Sequence, residues 1–156
     1  YYSFFFISFV IYLLISRILK IYLFKMVIFM SLYEEYILKI FKQEHIYFER
    51  EKTFKDLKHG LFRFDFYLPN INNGCIVEID GEYHFKPIRG RRQLIKQQEY
   101  DRRKNSYCLA NKIPLYRIPY WELSNIKNLN DILDKKYLVT TKWWNDEIWL
   151  NYMKKM

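Results

Sequence analysis

Cysteine is nearly missing from this chain. Cys75 and Cys108 are the only two in 156 residues, too few for a disulfide framework and without CxxC spacing. Both fall in expected regular structure, which suits buried free thiols in a reducing compartment. Acidic residues are in deficit, 17 against 26 Lys and Arg, giving a net charge of +9 and a pI near 9.4. That balance points to an anionic partner, nucleic acid first and an anionic membrane second. Charge of either sign is absent from Tyr1 to Ser16, an almost wholly apolar run followed by Arg17, Lys20 and Lys25. With no basic residues ahead of it and no small-residue cleavage site, the run does not fit a signal peptide. A spanning helix needs about 20 apolar residues. The run is borderline for one, and the basic residues after it suit an anchor whose remainder stays cytoplasmic. The other reading of residues 1–30 is a non-native extension, with Met26 or Met30 as the true start.

What is present after residue 30 is one domain's worth of alternating pattern. Leu32, Tyr36, Ile37, Ile40 and Phe41 recur at helical spacing, and Ser31 with Glu34 forms a capping-box pattern. The helix is expected to fade near Gln43 to His45. Ile46 to Thr53 alternates as a first strand, and Phe54 to Gly60 reads as a basic turn with His59 exposed. In Leu61 to Tyr67, Phe62, Phe64 and Phe66 alternate with Arg63, Asp65 and Tyr67, which sends the Phe set to the core and Asp65 the other way. Pro69 to Gly74 closes a hairpin. In Cys75 to Asp80, Val77 and Ile79 face the core, while Ile76, Glu78 and Asp80 share the opposite face. Gly81 ends the strand, and Pro87 to Gly90 reads as a mobile loop. A helix is expected from Arg92 to Asn111, with Leu94, Gln97, Asp101, Lys104 and Cys108 near one face. Ile113 to Pro119 is a strand at a sheet edge, its prolines tolerated there. Trp121 and Glu122 open a final helix running through Leu133. The tail from Trp143 to Met156 holds three tryptophans and has no assignment.

The chemistry concentrates between Phe64 and Phe85, FDFYLPNINNGCIVEIDGEYHF, which holds Asp65, Glu78, Asp80, Glu82 and His84. Carboxylates drawn out of water need a cation, a metal or donors, or they repel one another and hold their protons. The stretch reads as a metal site, with Glu82 solvated. Beside it lie Lys86, Arg89, Arg91, Arg92, Lys96, Arg102, Arg103 and Lys104, eight cations against Glu99 and Asp101, or +6 of the total +9. Basic charge so localised suits contact with a phosphate backbone. The bland alternatives are a capping role for Glu34, a surface histidine for His84, and a solvated ion pair of Asp101 with Lys104 or Arg102.

The order of elements, with FDF, EIDGEYH, EYDRRK and IPYWE, resembles the very-short-patch-repair-like branch of the PD-(D/E)xK nucleases, especially the homing endonucleases described by the motif EDxHD. The resemblance covers about residues 31 to 135. It implies an α/β (α+β) restriction-endonuclease-like core, a mixed central sheet flanked by helices over residues 31–137, with 138–156 as an aromatic and basic tail. It implies that Glu34, Asp65, His84 and Asp101 are catalytic, and it places Asp80 at the variable position. The lysine of the wider superfamily's ExK element is absent, since Asp80 stands in its place, which gives His84 more weight. The Cys/His set that holds a structural zinc in repair relatives is also not evident. The implied activity is hydrolysis of DNA phosphodiesters with Mg²⁺, for which Mn²⁺ can substitute, held by Asp65 with Asp80 or Glu78 and a backbone carbonyl. His84 would deprotonate the attacking water, with Glu34 or Asp101 orienting it.

DNA is the expected partner, a homodimer is compatible with this reading, and a membrane enters only if residues 1–30 are native and inserted. The expected location is intracellular, cytoplasm or nucleus. Two alternatives stand beside the homing or mobile-element enzyme. One is a non-catalytic DNA-binding module of the same fold, and the other a nicking enzyme of repair or restriction type.

Overall fold

The computed structural model describes residues 16–17, 32–57 and 61–154, apart from the side chain of Met153. The rest of the apolar segment 1–30, the Ser31 cap and the turn at His59 and Gly60 lie outside the described residues. Among those described, no helix is long and apolar enough to cross a membrane.

The first helix, α1, spans residues 32–43. Ile37, Leu38, Ile40 and Phe41 are its buried face, while Leu32 is exposed and Tyr36 partly so, its hydroxyl donating to the Ile126 carbonyl at 2.7 Å. The helix stops because His45 turns left-handed at φ 55°. That conformation lets the Ile46 N–H reach the Phe41 carbonyl and the His45 N–H the Lys42 carbonyl, a Schellman closure with histidine where glycine is usual.

Four strands follow: β1 (Glu49–Thr53), β2 (Arg63–Leu68), β3 (Cys75–Asp80) and β4 (Leu115–Pro119). They form one mixed sheet in the order β1-β2-β3-β4. The first three pair antiparallel, and β4 runs parallel to β3 after a crossover through α2 (Arg91–Ala110). The β2–β3 turn holds Asn72, Asn73 and Gly74 all at positive φ. Only glycine fits the last place, because an added Cβ would lie 2.5 Å from the Tyr67 hydroxyl.

The sheet has a core on each face. On the α1 side lie Ile37, Phe41, Phe66, Leu68, Val77, Tyr116 and Ile118; on the α2 side lie Phe62, Phe64, Ile76, Cys108 and Leu115. Phe41, Phe66 and Ile118 leave water completely, an effect worth about 2 kcal/mol for each. Every residue of β3 is buried, so the face carrying Ile76, Glu78 and Asp80 is interior as well.

The structure corrects two expectations. Phe62, Phe64 and Phe66 do not form one set. Glu51 is at φ 51° and drops out of the β1–β2 register opposite Asp65, and the β2–β3 ladder ends at Phe66 and Val77. Past that break, Phe64 and Phe62 join the α2 side and Phe66 stays on the α1 side. The expected helix from Trp121 to Leu133 is also broken. A 3₁₀ segment, Tyr120–Asn125, ends where Ile126 is extended, and a separate short helix α3, Leu129–Ile132, begins under a capping box of Asn128 and Asp131. Asn128 favours a new start over continuation.

Beyond α3 the chain returns to the sheet edge. Leu138 bridges Tyr116, and the Val139 N–H donates to the Leu115 carbonyl. The helix α4 (Trp144–Met153) then lies over α2, tied by Arg102 to Asp146 at 3.0 Å. The tryptophan tail is thus part of the α2-side core. Trp144 is buried there, and the Trp149 ring stacks 6.0 Å from Phe85.

Candidate active site

The site lies where β3 ends and α2 crosses it. Glu78 and Asp80 project from β3 toward α2, with Arg117 as the register partner of Glu78 on β4. A 3₁₀ turn, Glu82–His84, follows Gly81 and brings His84 back over the strand end. Helical spacing on α2 puts Gln97, Asp101 and Lys104 on one face above both.

The lower layer is a buried polar floor. Arg117 is fully buried and reaches Asp80 with two hydrogen bonds, Nε to Oδ2 at 2.9 Å and Nη2 to Oδ1 at 2.5 Å. Nη2 also donates to Asp101 Oδ1 at 2.9 Å, and Nη1 to Asn105 Oδ1 at 3.0 Å. His84 Nδ1 lies 2.8 Å from Asp101 Oδ2 and 3.3 Å from Asp80 Oδ1. Every polar contact of that ring among the described residues runs through Nδ1, which leaves Nε2 for the cavity that His84 lines.

Burial acts against a charged His84, but the carboxylates of Asp101 and Asp80 outweigh it and raise the ring's pKa above 6.5. Burial likewise favours a protonated Asp101, yet Arg117 and His84 hold that carboxyl far below its usual range. The same two carboxylates keep Arg117 firmly charged despite its burial. The Arg117 guanidinium and the His84 ring thus face the two carboxylates of the floor.

Above the floor opens a cavity of about 280 Å³ whose lining includes Glu34, Asp65, Glu78, His84, Lys86, Arg89 and Lys104. Asp65 sits where the β2–β3 ladder has stopped, and its Oδ2 accepts the Ile79 N–H at 2.8 Å in place of a backbone bond. Burial first, and the Glu78 carboxylate second, push its pKa up to about 8, against the pull of Lys104. Lys104 donates to Glu78 Oε1 at 2.6 Å. Burial would lower the lysine pKa, but Glu78 and Asp65 raise it above its usual value.

Asp65, Glu78, Asp80, His84 and Asp101 therefore converge as the spacing predicts. Glu34 reaches the same cavity but pairs with Arg50 at 2.7 Å, so Asp101 and not Glu34 orients His84. Asp80, His84 and Asp101 offer three donor atoms within 4.8 Å, a spacing suited to a metal. The Arg117 guanidinium, however, already lies among them, bonded to both carboxylates. Asp65 and Glu78 are the acids left facing the cavity.

The basic run divides. Lys86 and Arg89 line the cavity. Arg91, Arg92, Lys96 and Arg103 are exposed and do not line it, and Arg103 pairs with Glu99. Arg102 is committed to Asp146 and lies over Trp143, while Lys104 lies inside the site. Arg117 and Asn145 were missed in the sequence, and Lys104 was read there as a DNA contact. Arg117 had a signal, a lone cation in the apolar strand LYRIP, which had to find buried partners. Lys104 stood on the right helix face. Asn145, whose amide reaches Asp80 and Asp101, gave none.

Compared with protein-family models, with curated proteins and with solved structures, the chain matches none.

Proposed function

We propose that this chain is a metal-dependent endonuclease that hydrolyses DNA phosphodiester bonds on a restriction-endonuclease-like core. The observation that carries the reading is the convergence, in one cavity, of the Asp65–Glu78 pair with a histidine fixed through its far nitrogen by Asp101. The pair fits a hard cation. Its donors are oxygens, burial and then the Glu78 carboxylate hold the Asp65 proton, and the nearby Lys104 neutralises one of the two acids. Bound there by Asp65 and Glu78, Mg²⁺ or Mn²⁺ would supply Lewis-acid polarisation of the phosphate.

The chain's own groups then divide the work. With Nδ1–H donated to Asp101, His84 presents Nε2 as the acceptor of the attacking water's proton. The resulting imidazolium is stabilised by Asp101 and Asp80, which removes the cost of charging a buried ring. Lys104 supplies a cation from the helix, opposite Glu78, where β3 offers only Asp80. Lys86 and Arg89 flank the opening and hold the backbone. The first turn of α2 contains no acidic residue and no side-chain cap, while Arg91 and Arg92 stand there. Two cations at the positive end of a helix are unfavourable until an anion joins them, as a DNA phosphate would.

The test is incubation of supercoiled plasmid with the protein and Mg²⁺, with and without chelator, beside Asp65→Ala and His84→Ala. Nicking or linearisation by wild type alone, abolished by chelator, is expected. If wild type cuts nothing with any divalent metal, or both variants cut as fast as wild type, the reading falls.

A further inference from the structure

The floor of the site contains a side chain from α4, an element to which the endonuclease reading gives no task. Asn145 is 4% exposed. Its Nδ2 donates to Asp80 Oδ2 at 3.4 Å and to Asp101 Oδ2 at 3.3 Å. Its Oδ1 is buried with no partner among the described residues. Turning the amide over would aim that oxygen at two carboxylates, so charge fixes its orientation. A buried amide oxygen without a donor lowers stability, and a leucine of similar shape would avoid the loss. What Asn145 contributes is therefore placement. Asp101 Oδ2, the atom that holds His84 Nδ1 at 2.8 Å, is the same oxygen that Asn145 reaches.

The helix is seated for this purpose from several sides. Trp144, its first residue, is buried with the Arg117 guanidinium 5.8 Å from its ring. Asp146 is held by Arg102, and Trp149 stacks near Phe85, the residue after His84. Asn105 donates to the Lys142 carbonyl just before α4 at 3.1 Å while accepting from Arg117. The turn entering α4 is thus linked to the guanidinium that organises the floor.

We propose that Asn145 is a positioning residue of this site: it locks the Asp80 and Asp101 carboxylates that fix the His84 ring, so that α4 belongs to the reactive centre. The proposal rests on His84 being the base of the endonuclease reading, and its test separates the two. The full chain has three histidines, so the His84 ring nitrogens are resolvable by long-range ¹H–¹⁵N correlation. In wild type, His84 gives one set of resonances with the Nδ1 proton held by Asp101. In Asn145→Leu that set broadens or splits as the ring and carboxylate gain alternatives, while the melting temperature is not lowered. Plasmid cleavage loses about 10- to 100-fold in kcat at unchanged KM, the scale of a misplaced catalytic group.

If wild type cuts no DNA, the endonuclease reading fails and the ring spectrum still decides the role of Asn145. A folded Asn145→Leu with a wild-type His84 spectrum overturns the proposal. Asn145→Ala makes the same comparison should the leucine not be accommodated. If neither variant folds, the amide is structural and the proposal is likewise overturned.

Discussion

Replacing Asp65 with Asn removes a charge from the cavity but keeps the oxygen that accepts the Ile79 N–H at 2.8 Å. In the metal-free protein that charge is a liability, because burial and then Glu78 lift the acid from 3.8 to about 8. The native state therefore holds the proton more tightly than the unfolded chain. The stability this represents is complete below 3.8 and is lost as pH rises through about 8. At about 1.4 kcal/mol per pH unit that window sets a ceiling of roughly 6 kcal/mol, and water reaching the half-buried carboxyl reduces it to about 2–3 kcal/mol. An asparagine does not titrate in this range. Denaturant unfolding with chelator present should show Asp65→Asn more stable than wild type by about 2–3 kcal/mol near pH 8.5, with the two converging near pH 4. Mg²⁺ should then close the gap. At a hundredfold excess over Kd it adds about 2.7 kcal/mol to wild type and nothing to the variant. An Asn variant less stable than wild type near pH 8.5 in chelator would refute the reasoning, since the carboxylate would then be well solvated or already paired.

Three further outcomes follow from the same geometry. Because Asp101 and Asp80 raise the His84 pKa and a base must be neutral to act, the cleavage rate should climb with pH through a midpoint above 6.5. Asp101→Asn should shift that midpoint down, and a midpoint that stays put in a pH–rate profile would remove His84 from the mechanism. Arg117→Met leaves Asp80 and Asp101 buried against each other and should cost about 3–5 kcal/mol in urea unfolding, where a loss below about 1 kcal/mol would show that the floor is wet. Lys104→Met should depress cleavage with little change in the salt dependence of DNA binding, whereas Lys86→Ala with Arg89→Ala should lower the slope of log affinity on log salt by about two. Equal slopes in both variants would contradict the division of the basic run.

Much of this arrangement could be read in the sequence, for reasons of period. Alternation in IVEID put Glu78 and Asp80 on one face, and the 3–4 spacing of Gln97, Asp101 and Lys104 put them on another, so their meeting required only that α2 cross β3. The acids were legible as a group because so many carboxylates beside an apolar strand demand compensation. The identity of the compensating groups was not. A strand pattern gives the face but not which residue of a neighbouring strand stands opposite, so Arg117 could not be paired with Asp80, one of the two carboxylates expected beside Asp65 at a metal. Lys104 was counted among its basic neighbours because charge counting ignores which way a side chain points. The break at Glu51 and Asp65 depends on one residue's φ, which composition does not encode, and so the phenylalanines were assigned to one face instead of two.

The guanidinium of Arg117 joins β4 to β3 through Asp80, to α2 through Asp101 and Asn105, and, through Trp144, to α4. Separating any one of these elements would strand either a cation or a carboxylate pair in a dry interior. No partial opening of this region is therefore cheap, in contrast to the frayed ends and loops that admit solvent locally. The amide of Ile79, whose hydrogen is held by Asp65 beside this junction, should therefore be among the slowest to exchange with solvent, which hydrogen exchange would read directly.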